Sequence, residues 1–281
     1  MLKECVIPLV EELFNTQQVS AYFFINYGER GPHLRLRLKH DKNDSIYPYV
    51  SSILSDYMHK NPSNINSYRE SDWFPNDTIH FIDYEPEIHR YGGNAAISVA
   101  EKQFMNSTKV VFAHIKDNLL ISYNNALNAA IRLHIASAFY YCNENIEDAV
   151  NFFYNVFVGR SIVQYEPFIK FNSKDEHIYN VYFRQQKENI IPLVKYIWEN
   201  LEKAEIIDDN IQYWLLAEKE ICNDLTKIQK QNKLVVPYMY ECFPLWSIFQ
   251  SYIHMTNNRL GLSPIDEGLI AYFLMESLKT L

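Results

Sequence analysis

No stretch of the sequence reaches the roughly 18 uninterrupted apolar residues that a membrane-spanning helix requires. No secretory signal opens it either: Met1-Leu2-Lys3-Glu4-Cys5 leads into a short amphipathic run interrupted by Pro8, Glu11 and Glu12. On these two absences the protein is expected in the cytoplasm. Cysteine is scarce: Cys5, Cys142, Cys222 and Cys242 are the only 4 in 281 residues. They stand far apart in no CxxC or Cys/His spacing, so they read as buried free thiols and not as a disulfide framework or a metal site. With 7 glycines, 11 prolines and no Ser/Gly/Pro-rich run, no linker divides the chain. Basic residues are outnumbered, 26 Lys and Arg against 34 Asp and Glu, for a net charge of -8, and they are dispersed. Phosphate neutralisation needs clustered cations, so direct nucleic-acid binding is disfavoured. Internal repeats, GxGxxG, a Walker-type loop, HExxH and GxSxG are all missing, which removes sequence support for nucleotide, zinc-hydrolase and Ser-hydrolase chemistry. No metal or cofactor is expected.

Apolar and aromatic residues are plentiful. Aromatics make up 15% of the chain, with 21 Tyr, 17 Phe and 4 Trp, enough for a substantial core in a single domain spanning 1–281. Phe23-Phe24-Ile25-Asn26-Tyr27 and His33-Leu34-Arg35-Leu36-Arg37-Leu38 flank a Gly-Glu-Arg-Gly-Pro break, which predicts a hairpin. Successive strand side chains alternate faces, so Leu34, Leu36 and Leu38 share one and His33, Arg35 and Arg37 the other. Helices are predicted over 3–16 and 46–60, the latter capped by Asn43-Asp44-Ser45, and a strand over 80–84. Further helices follow at 95–105, 108–123, 125–141 and 146–158, a loop then helix within 165–185, and helices at 192–201, 211–230, 240–259 and 266–279. The fold class is therefore α+β, a small antiparallel sheet in the N-terminal third packed against a predominantly helical C-terminal part.

Three constellations could carry chemistry. His33, Arg35 and Arg37 have an ordinary reading as a solvated strand face and a sharper one as an anion site, since guanidinium groups grip carboxylates bidentately. Tyr84-Glu85-Pro86-Glu87 with Arg90-Tyr91-Gly92-Gly93 reads either as a turn with a local ion pair or as a loop bringing Arg90 to the same substrate, with Glu101 to hold it. His254 lies on an apolar helix, where a histidine is more often packed core. Asn258 follows four residues later on the same face, and the helix end before Gly261 favours a cationic imidazole able to donate a proton.

In order and spacing, these motifs, with Pro8 to Leu13 before them and Leu260-Gly261 after, resemble the C-terminal glutamate-elimination domain of lantibiotic dehydratases, which also occurs alone as thiopeptide-type bacteriocin biosynthesis proteins. The resemblance runs from near residue 8 to the C-terminus. It implies a split system. A separate glutamylation enzyme uses glutamyl-tRNA to esterify Ser or Thr of a ribosomal precursor peptide of leader and core, and this chain expels glutamate to leave dehydroalanine or dehydrobutyrine. By the same resemblance Arg35, Arg37, Arg90 and His254 match the catalytic motifs, with His33, Tyr84, Glu85, Glu87, Tyr91, Asn258 and Arg259 around the substrate; a homodimer is left open. Many relatives carry Arg where this chain has Asn26. Two alternatives stay open: a pyridine synthase joining two dehydroalanines by formal [4+2] cycloaddition with loss of the leader, and a non-catalytic scaffold that binds the precursor.

Overall fold

The computed structural model describes residues 1–40, 46–63, 72–161, 173–235 and 244–281. A single π-type turn, Leu2–Val6, runs into α1 (Ile7–Asn15), and the hairpin β1 (Ala21–Tyr27) and β2 (His33–Lys39) follows. Next come α2 (Ile46–Lys60), a 3-10 turn at Ile88–Tyr91, α3 (Ile97–Lys116), α4 (Tyr123–Tyr141), α5 (Ile146–Ser161) and α6 (Ser173–Glu202). The chain closes with α7 (Asp209–Lys230), α8 (Pro244–Arg259) and α9 (Pro264–Leu278). A two-stranded antiparallel sheet near the N-terminus against a helical remainder is the α+β arrangement that hydrophobic periodicity predicts.

The core is built around α9, which touches α4, α5, α6 and α8. From Gly268 to Met275 it is apolar on nearly every side, the pattern of a helix with no solvent face. The sheet joins this core through β1, whose Phe24 is fully buried and stacks on Phe112 of α3 at 5.3 Å. Its register pairs Phe23 with Arg37, Ile25 with Arg35 and Tyr27 with His33, so the arginines share a face with those three residues. The outer edge of β1 is closed by side chains. Phe24 N–H donates to Thr108 Oγ1 at 3.4 Å, and Asn26 N–H to Asn258 Oδ1 at 2.8 Å. Asn258 Nδ2 returns a bond to Asn26 O at 2.8 Å, and Asn26 Nδ2 donates to Asn258 O at 2.7 Å. The Asn258 amide thus imitates the peptide of a neighbouring strand, a standard way of covering an edge.

Several expectations need correction. Residues 80–84 form no strand and pair with none among the described residues. The helices expected at 95–105 and 108–123 are one helix, α3: Ser107 bonds back to Phe104 O at 3.1 Å and Thr108 accepts Arg259 Nε at 3.1 Å, so these two polar residues are satisfied inside the helix and do not end it. Pro192 starts no helix. It lies within α6, where Ile190, Val194, Ile197, Trp198 and Leu201 bury one stripe across it, and that packing outweighs the lost backbone bond. The Asn43-Asp44-Ser45 cap and Cys242 lie outside the described residues, as do 165–172 of the expected loop and 240–243 of the expected helix. Cys5 and Cys142 are buried free thiols and Cys222 is half-buried. No helix among the described residues is long and apolar enough to cross a membrane.

Candidate functional site

On β2, His33 Nδ1–H donates to Gly31 O at 2.8 Å, which leaves Nε2 to accept from Arg35 Nε at 3.1 Å. Arg35 lies over the Tyr27 ring at 3.4 Å and stands 3.8 Å from Glu29. Both residues therefore belong to the hairpin end of the sheet. Arg37, nearer the loop, donates to Ile82 O at 3.2 Å and lies 5.5 Å from the Tyr84 ring centre. Burial, then the charge of Arg35, pushes its guanidinium below its ordinary value. Burial and the nearby Glu101 hold the Tyr84 hydroxyl well above its usual range. Glu101 therefore acts on Tyr84, and Arg90 is held by other partners.

Arg90 is fixed from two sides, by Glu87 at 3.1 Å and by Ser251 Oγ of α8 at 3.3 Å. Two left-handed glycines set up this loop. A Cβ on Gly92, at φ 90°, would stand 2.6 Å from Leu234 and 2.7 Å from Ile248, and Gly92 O accepts from Val235 N–H at 3.0 Å. Beneath Arg90, Tyr91 is buried, stacked on Tyr252 at 6.0 Å, and its hydroxyl is pushed up to about 12 by burial. Glu85 is exposed.

Ser251, His254, Met255 and Asn258 form the half-buried stripe of α8. Ser251 carries Arg90 at one end and Asn258 carries β1 at the other, so His254 lies between them on one face. His254 Nδ1–H donates to Glu267 Oε1 of α9 at 2.6 Å, and the Glu267 side chain is only 1% exposed against 22% for His254. This bond fixes the tautomer and orients the ring, leaving Nε2 as the nitrogen turned away from Glu267. Deeper still, His134 bonds Asn257 Oδ1 at 2.7 Å, and burial pushes that imidazole down to about 4, so it is neutral. Arg259 faces inward: it is buried, donates to Met255 O at 2.8 Å, lies 5.2 Å from the Phe104 ring and is pushed down to about 9 by burial.

The structure thus brings Arg90, His254, Asn258 and Asn26 onto one surface. Arg37 connects to Arg90 through a row of rings, Tyr84 to Phe23 at 5.8 Å, Phe23 to Phe104 at 5.3 Å and Phe104 to Tyr91 at 4.9 Å. His33 and Arg35 sit farther along the strand. Tyr91 and Arg259 lie under the surface, and Asn258 has both amide atoms engaged by Asn26. Sequence reasoning missed Glu267. Its signal was an acid next to the apolar run Gly268 to Met275, where only a partnered carboxylate is expected. Among the described residues no group of His, Cys, Asp and Glu could hold a metal ion.

A sequence profile of the family described as "Lantibiotic biosynthesis dehydratase C-term" matches residues 1–278. The epidermin biosynthesis protein EpiB of Staphylococcus epidermidis is 26% identical over 104 residues, 37% of this chain and 9% of EpiB. Among solved structures, TsrL aligns with TM-score 0.79 and 14% identity over 99% of this chain and 90% of TsrL. The pyridine synthase TbtD from thiomuracin biosynthesis gives TM-score 0.80 and 13% identity over 100% of this chain and 93% of TbtD. The tRNA-dependent lantibiotic dehydratase MibB from Microbispora sp. 107891 gives 0.60 and 14% over 99% of this chain and 26% of MibB. At these identities the likeness is one of fold, and the chain spans a minor part of EpiB and MibB.

Proposed function

The chain belongs to the lantibiotic biosynthesis dehydratase C-terminal family, and from that premise we propose that it is a glutamate-elimination lyase acting on a ribosomal precursor peptide. The substrate is a Ser or Thr esterified by glutamate in a separate tRNA-dependent step. His254 Nε2 takes the Cα proton; the C–H electron pair becomes the Cα=Cβ bond, the Cβ–O bond breaks, and glutamate departs as a carboxylate. Negative charge develops first on the neighbouring amide carbonyl and then on the leaving group. Arg90, held by Glu87 and Ser251, is the cation for the first, and Arg37 with Arg35 for the second. Buried Glu267 stabilises the imidazolium that forms, as a carboxylate does behind a catalytic histidine.

The observation that carries this reading is the 2.6 Å bond from His254 to a buried carboxylate, three residues along α8 from the anchor of Arg90. Incubation with a precursor peptide glutamylated on Ser is expected to yield the dehydroalanine peptide, and His254→Ala and Arg37→Ala to leave the ester accumulating. Unchanged ester with the unaltered protein would overturn the reading. One observation favours cycloaddition instead: Asn26, where many relatives have Arg, gives its amide to Asn258 and supplies no cation. A linear peptide bearing two dehydroalanines separates the two, since only the cycloaddition reading expects a macrocycle and a released leader.

A further inference from the structure

In an antiparallel pair, residues alternate between those that exchange both hydrogen bonds with the partner strand and those whose N–H and C=O point outward. Asn26 gives both backbone groups to Asn258 and Phe24 N–H points to Thr108, so the even positions of β1 face out. Their register partners Leu34, Leu36 and Leu38 consequently turn their N–H and C=O groups to the other edge of the hairpin. There, no described residue bonds them. The edge of β1 is closed by α3 and α8, whereas among the described residues the edge of β2 is open.

This open edge borders a cleft of about 660 Å³ whose opposite wall runs from Trp73 to Thr78 and on to Ile82. The two faces of the strand differ in chemistry. Leu34, Leu36 and Leu38 pack against the core yet are only half-buried, whereas Phe24, the partner of Leu36, is fully buried, so the apolar face reaches the outer edge of β2 with part of its surface exposed. On the other face stand His33, Arg35 and Arg37, with Arg30 at the turn, a local reversal of sign in a chain of net charge -8. Of the acids nearby, Asp77 is engaged by Ser63 at 2.6 Å and Glu29 reaches Arg35 only at 3.8 Å.

We propose that the open edge of β2 docks an extended segment of the peptide substrate as a third strand. Acidic groups at alternate positions of that segment, the esterified glutamate among them, lie beside Arg35 and Arg37, and apolar side chains between them lie beside Leu34, Leu36 and Leu38. A strand added to a sheet keeps the alternation of faces, so the pairing of charge with Arg and of apolar groups with Leu follows from register alone. This rests on the reading that the protein acts on a peptide, and names the kind of segment it holds.

The test uses a fluorescent synthetic peptide of alternating Leu and Asp, titrated into the full-length protein, beside three others. One alternates Leu and Lys; two are the Leu/Asp peptide N-methylated at every Leu or at every Asp. Only one set of amides in an added strand faces β2, so one methylated peptide is expected to bind about tenfold weaker or worse and the other like the parent. The Leu/Lys peptide is expected to bind more weakly than the parent, and amide exchange at Leu34, Leu36 and Leu38 to slow when the parent binds. No binding of the parent, equal binding of both methylated forms, or equal binding of the Leu/Lys peptide would overturn the docking site. Docking as described, with a glutamylated substrate left unchanged, would uphold this site and overturn the elimination reading.

Discussion

The dyad of His254 and Glu267 is where a single atom matters most. Glu267→Gln keeps the size of the side chain and removes its charge, so the imidazolium loses its partner. We predict a fall in elimination rate of about 100-fold or more with KM little changed. A merely structural Glu267 would show instead as lost urea stability, with the rate of the folded protein unchanged. At this scale the sequence was partly legible. Arg90 and His254 stood out because cations and a histidine beside apolar runs have few ordinary uses. Glu267 was hidden because its partner lies 13 residues away on another helix, and spacing along one helix is blind to that. Tyr91 and Arg259 were legible as special residues but not as buried ones, since burial is set by α3 and α8 packing over them.

Among elements, the join between β1 and α8 decides whether the arginine strand and His254 stay in a fixed relation. Three hydrogen bonds between Asn26 and Asn258 make that join. Asn258→Ala removes two of them and leaves the backbone of Asn26 with water or nothing. The expected cost is about 1–3 kcal/mol in urea unfolding, with elimination lowered in parallel because β2 loses its registry to His254. Asn258→Asp keeps the acceptor for Asn26 N–H but sets a carboxylate oxygen against Asn26 O, so it should cost at least as much. The hairpin itself was readable, since a turn-rich break between two strand-like runs has a two-residue period on its second side. The extension of α3 through Ser107 and Thr108 was not readable, because the groups that satisfy those hydroxyls come from Phe104, Phe24 and Arg259. The stretch 80–84 has the composition of a strand, but a strand needs a neighbour, and none of the described residues pairs with it.

Across the whole molecule, helices carry the mass and a polar cluster sits in their midst. Glu218 of α7 is fully buried, bonded by Tyr141 and, at 3.2 Å, by Gln103; burial raises its carboxyl to about 7 from an ordinary 4.5. A carboxyl raised on folding binds its proton more tightly folded than unfolded. The stability it contributes is complete below pH 4.5 and is lost as pH rises toward 7. His134, lowered to about 4 from 6.5, has the opposite sense, losing stability as pH falls through that window. The two slopes oppose each other in the unaltered protein, so the informative quantity is a difference. Urea unfolding of Glu218→Gln against the unaltered protein is expected to favour the variant increasingly from pH 4.5 to pH 7.5, by about 3 kcal/mol in all. The broad architecture was legible because long amphipathic periods dominate residues 97–278. Pro192 inside α6 was the main exception, a local rule overridden by the apolar stripe on both sides of it.

The reaction we propose is the loss of glutamate from an esterified side chain by removal of a Cα proton. A precursor peptide carrying one glutamylated Ser deuterated at Cα tests it most directly, with the peptide product weighed by mass spectrometry. The account predicts a product that has lost both glutamate and the deuteron, and none of it with His254→Ala. Ester recovered intact, or glutamate lost with the deuteron retained and Ser restored, would contradict it.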